Sequence, residues 1–121
     1  MDIIAMAAKT LKPIEDSGII VQQGWYDKSI QKLHVTLWNM GEYDGEYSDD
    51  EAEVEVASIQ VNIWSKEDQI FLKKRIKKLM IEAGFYYMGS NDELETDTKI
   101  FMNAMRFMAA QESEMEESEN E

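Results

Sequence analysis

Along residues 52–85, AEVEVASIQVNIWSKEDQIFLKKRIKKLMIEAGF, the apolar positions change their period once. Ala57, Ile59, Val61 and Ile63 alternate with Ser58, Gln60 and Asn62, the period of two expected of a half-buried strand. From Leu72 the spacing turns helical, with Leu72, Ile76, Leu79, Met80 and Ala83 on one stripe. Ser65, followed three residues later by Asp68, predicts a capping box at the helix start, and Gly84 predicts a left-handed stop at its end. Val54 and Val56 lie on the parity opposite to 57–63. That slip predicts a bulge or sharp twist near Val56 and Ala57, with the outer strand projecting as an arm.

Elsewhere the pattern is shorter but legible. Ile3, Ala7, Leu11 and Ile14 share a face, predicting a helix over 2–12 that Pro13 ends or kinks. Ile19, Ile20 and Val21 predict a short strand, and Trp25, Tyr26 and Asp27 a turn with exposed aromatics. Leu33, Val35 and Leu37 alternate with Lys32, His34 and Thr36, predicting a strand with one wet face. The stretch MGEYDGEYSDDEAE has no apolar period and reads as a long, mobile connection of a functional or disordered kind. A short strand is expected over 85–88, then a polar turn over 89–97. Residues 98–108 are apolar on both parities, as in a central strand covered on each side; a helix is the rival reading, because Met and Ala favour it. The sum is an α+β fold: a mostly antiparallel sheet of four to five strands packed with two helices, with a long acidic loop between the second and third strands.

Size and charge narrow the picture. A chain of 121 residues suits one domain, expected over 1–110, followed by a disordered acidic tail at 111–121. With no cysteine there are no disulfides or thiolate metal sites, and the start MDIIAMAAKTLKP lacks the apolar run of a signal peptide, so a soluble, intracellular product is expected. The net charge of −13 argues against general nucleic-acid binding. Eight of the 25 acids fall within 42–55 and six within 112–121, while Lys73, Lys74, Arg75, Lys77 and Lys78 hold five of the twelve basic residues.

Little of this supports catalysis. His34 is the single histidine and falls on the polar parity of its strand, which predicts a solvent-facing or flanking residue with no nucleophile in view. The acids Asp44, Glu46, Asp49, Asp50 and Glu51 do not match EF-hand spacing and read as a solvated, self-repelling loop that binds a divalent ion only weakly, if another surface closes over it. No glycine-rich phosphate cradle precedes a Lys-Ser or Lys-Thr pair. A non-enzyme without cofactor or metal is expected. The helix cluster Lys73, Lys74, Arg75, Lys77 and Lys78 has two readings, a solvated outer face or a surface that docks on the acids of a neighbouring subunit. Glu42, Tyr43, Asp44, Glu46, Tyr47, Asp49, Asp50 and Glu51 are the candidate contacts for the second, because opposite patches on one chain favour head-to-tail association.

Several of these segments together resemble the small tail-terminator, or tail-completion, proteins of long-tailed bacteriophages and prophages, also called head–tail joining proteins. The resemblance rests on the N-terminal helix followed by Ile19, Ile20 and Val21, and on Ser48-Asp49-Asp50-Glu51 in the acidic loop. It continues in Ile59-Gln60-Val61-Asn62-Ile63-Trp64-Ser65, entering a helix closed by Met80 and Ala83-Gly84-Phe85, and in Asp97-Thr98-Lys99-Ile100-Phe101 running to Ala104-Met105-Arg106-Phe107. It spans most of 3–109 and departs from the family pattern at Asn103, in place of a His, and at Asn62, in place of an Asp. The resemblance implies a virion protein that forms a ring, typically a hexamer, at the end of the tail tube. Such a ring stops tube growth and joins the tail to the head connector, so the partners are its own copies, the tail tube protein and the connector (stopper) protein. The protein would sit at the head–tail junction of the virion and in host cytoplasm during assembly. Other head-completion, connector or tail-tube proteins of similar fold, and an acidic nucleic-acid mimic, are the alternatives.

Overall fold

The computed structural model describes residues 1–44 and 54–112. Three helices, α1 (Ile3–Thr10), α2 (Lys12–Asp16) and α3 (Ile70–Glu82), accompany five strands. These are β1 (Ile20–Gln23), β2 (His34–Asp44), β3 (Val54–Ser65), β4 (Tyr86–Glu95) and β5 (Ile100–Glu112). They form one sheet in the order β1-β2-β3-β5-β4, parallel only between β1 and β2. The expected α+β class with a mostly antiparallel sheet is therefore observed.

The N-terminal stripe forms as its spacing requires. Asp2 caps α1 by accepting from the Ala5 amide at 3.0 Å. The chain bends at Leu11 and goes on into α2, where Pro13 sits in the first turn and its missing N–H costs nothing. The helical path thus runs to Asp16 rather than ending near residue 12, and Ile3, Ala7, Leu11 and Ile14 are all buried. With Leu72, Ile76 and Met80 of α3 they cover one face of the sheet, hereafter the helix face. Val35, Leu37, Ala57, Ile59, Val61, Ile63, Met105, Phe107 and Ala109 complete that core.

Four further expectations change. α3 begins at Ile70, with no side-chain cap on Gln69. The Ser65 hydroxyl instead accepts from the Glu67 amide at 3.0 Å and from Gln69 Nε2 at 3.2 Å, closing a local turn that competes with helix capping. The helix stop does form: Gly84 has φ 104°, its amide donates to Ile81, and the Phe85 amide donates to Met80. The bulge lies on β2, not β3; the register shifts between Asn39 and Gly41 while β3 pairs with β5 unbroken from Val54 to Ser65. The parity slip in β3 arises because both of its faces carry apolar residues. β4 runs on through the polar stretch to Glu95, since β5 offers it a ladder partner and an edge strand tolerates polar side chains on both faces.

The fourth change concerns the wet face expected for β2. His34 and Thr36 are buried, as are Asn62, opposite Thr36, and Gln60, next along the same face of β3. A parallel β1–β2 pair requires a crossover. Here residues 24–33 supply it and lay Trp25 and Tyr26 across the second face of the sheet. Trp64 receives them, with ring centroids 5.6 Å from Trp25 and 5.2 Å from Tyr26. Ile100, Met102 and Ala104 of β5 close this second, smaller core. The far part of the same face, here called the open face, has no cover among the described residues.

Candidate interaction surfaces

Buried polar groups set the inner limit of the open face. Trp64 Nε1 donates to Thr36 Oγ1 at 2.9 Å, Asn62 Nδ2 reaches the same oxygen at 3.4 Å, and Gln60 Nε2 donates to Asn62 Oδ1 at 2.8 Å. His34 belongs to this layer rather than to solvent. Its ring is stacked on Trp64 and tilted against Tyr26, with Nδ1 3.0 Å from the Lys32 carbonyl and the Asp27 amide 3.4 Å from Nε2. Those contacts suit a ring that donates from Nδ1 to the Lys32 carbonyl and accepts at Nε2 from the Asp27 amide. A cavity of about 260 Å³ opens beside it, lined by Tyr26, Lys32, Ser65 and Gln69 among others. Asp27 anchors the crossover: the Ser29 hydroxyl and amide, and then Gln22, hold its carboxyl below the ordinary carboxylate range.

Beyond that layer the open face is bare of cover among the described residues. Cross-strand rows place Tyr43 beside Val56 and Ala110, and Gly41 beside Ser58, Met108 and Tyr86. Trp38, Tyr43 and Tyr86 are 46%, 59% and 61% exposed on this stretch. Sequence reasoning missed it, because only pairing register reveals that residues from β2, β3, β4 and β5 share one surface. Of the aromatics expected in the turn and the acidic loop, Trp25 and Tyr26 pack locally, Tyr43 joins the bare stretch, and Tyr47 lies outside the described residues.

The basic helix stands on the other side of the sheet. Leu72, Ile76 and Met80 point inward, so Phe71, Lys74, Arg75, Lys78 and Ile81 face outward. Phe71 is 83% exposed. Lys77 is turned aside, with Nζ 4.1 Å from the centroid of the Tyr87 ring. Ion pairs among the described residues are Met1 with Glu55 and Lys12 with Glu15 and Asp16; none involves Lys73, Lys74, Arg75, Lys77 or Lys78.

The described acids Asp44, Glu55 and Glu112 lie at one end of the sheet. Of the expected loop, Glu42, Tyr43 and Asp44 are strand residues of β2, and Glu46, Tyr47, Asp49, Asp50 and Glu51 lie outside the described residues. Asp44 pairs with Glu55, and Val54 pairs with Glu112. The two acid-rich segments, remote in sequence, therefore leave the sheet at the same edge. In sequence, 42–55 and 112–121 hold eight and six of the 25 acids and no Lys or Arg. β5 continues through Glu112, two residues into the expected tail. Among the described residues no three or more His, Asp or Glu side chains are grouped to hold a metal, and no helix is long and apolar enough to cross a membrane.

No family model and no curated protein matches this chain. Among solved structures, it is similar to a chain of the virion of a native gene transfer agent particle. The TM-score is 0.64 at 12% identity, over 91% of this chain and 94% of that one. At that identity the likeness establishes a common fold.

Proposed function

We propose that this chain is a non-enzymatic structural protein of a phage-like virion. In this reading it forms a ring of six copies at the end of the tail tube, stops tube growth, and joins the tail to the head connector. The observation that carries the proposal is the fold held in common with a gene transfer agent virion chain across nearly the full length of both. Fold alone does not assign function, but the surfaces agree with an assembly role. A helix of cations without ion pairs among the described residues and two acid-rich segments of sequence, 42–55 and 112–121, are complementary between copies. Exposed pairs of this kind contribute only about 0–1 kcal/mol each, so they orient encounter more than they stabilise the product. The partners are copies of the chain itself, the tail tube protein and the connector, at the head–tail junction.

Electron microscopy of particles assembled without this protein tests the proposal. Over-long tails, or finished tails separate from filled heads, are expected. Normal tails joined to heads would refute it, and tails absent altogether would instead favour a tube component.

A further inference from the structure

We propose that the bare stretch of the open face receives the outer face of α3 from a second copy of this chain. The inference rests on the self-assembly reading above and names the surface through which it occurs. Clustered exposed aromatic groups are the mark of an interaction surface, and Trp38, Tyr43 and Tyr86, with the half-buried Met108 in register with Tyr86, provide one. The outward stripe of α3 has the matching chemistry. Phe71, Lys74, Lys78 and Ile81 follow at helical spacings, apolar at both ends and cationic between. Aromatic rings accept both kinds of group, and Lys77 over Tyr87 already displays that contact within one molecule.

Charge decides between α3 and the obvious rival, two open faces stacked on each other. The open face carries Glu112 at one end and Glu93 and Glu95 toward the other, in rows with Val54, Met102 and Ile100. Arg106, the cation between them, already donates to Asn91 at 2.6 Å. Parallel stacking would bring both acidic ends together. Antiparallel stacking would set each acidic end over Glu93 and Glu95. Both are repulsive, whereas α3 brings Lys74, Arg75 and Lys78 toward that charge. A helix cannot reach the open face of its own sheet, because it packs on the opposite side. The contact is thus between copies, uses two different patches, and repeats around a ring when the rotation closes.

The absence of cysteine permits a direct test. Lys74→Cys and Tyr86→Cys proteins, both altered at exposed sites and differing in mass by a tag, are mixed and treated with a short bismaleimide. Mixed dimers are expected in excess of either homodimer, and adding Met108→Lys to the Tyr86→Cys protein lowers their yield by about tenfold or more. Dominant Tyr86→Cys homodimers would mean stacked open faces and overturn the inference. Larger species by light scattering with no cross-link at either position would overturn this docking while leaving self-assembly standing. A monomer at every concentration, without cross-links, would remove both.

Discussion

Replacing Trp64 by Phe tests whether the crossover over 24–33 closes the inner part of the open face. Trp64 is 6% exposed and touches Trp25, Tyr26 and His34. Its indole N–H is also the nearer of two donors to Thr36 Oγ1, at 2.9 Å against 3.4 Å from Asn62. Phe keeps a ring in the pocket but removes that donor and part of the packed volume. The lost hydrogen bond costs about 1 kcal/mol, and the void about 1–2 kcal/mol more. A melting temperature lower by roughly 10 °C is expected for a domain of this size. Thr36→Val, nearly the same shape, leaves the indole N–H and the Asn62 amide without an acceptor and should cost about 1–3 kcal/mol. The informative quantity is the coupling. In Trp64→Phe/Thr36→Val both partners are gone, so the double variant should lose about 1 kcal/mol less than the sum of the single losses. Urea unfolding followed by far-ultraviolet circular dichroism measures all three, free of the fluorescence change that removing an indole brings. Additivity to within about 0.3 kcal/mol would refute the hydrogen bond. A loss below about 0.5 kcal/mol for Trp64→Phe would refute a closed aromatic layer.

Two further outcomes follow from local geometry. Gly84→Ala should cost about 1–2 kcal/mol in urea unfolding, entirely from the φ of 104°, because a Cβ there meets nothing within 4 Å; a neutral result would exclude the left-handed helix stop. Asp27 has a folded-state pKa below its unfolded value, so its contribution is complete above the unfolded carboxylate range, about pH 4, and is lost as pH falls through the folded value. As pH falls below about 4 and through the folded value, the Ser29 amide should therefore lose protection, taken relative to its intrinsic exchange rate, in the native protein but not in Asp27→Asn; equal changes in protection would contradict the anchoring role.

Period and stop signals along the chain were enough to determine the class of fold and several of its elements. The strand ending at Ser65, the helix after it, the Gly84 stop and the strand after Lys99 were all legible, because each rests on residues adjacent in sequence. The concentration of cations on α3 and of acids in 42–55 and 112–121 was equally plain. The tertiary structure alone decided which faces are covered. His34 and Thr36 read as solvated because their neighbours on β2 alternate with apolar residues, yet a crossover lacking any periodic signal buries them. The β2 bulge, the extent of β4, the meeting of the two acidic segments and the bare aromatic strip all depend on which strands lie side by side. Pairing is a relation between distant residues: an alternating pattern specifies that a strand has two faces, and only the neighbouring elements specify what each face meets.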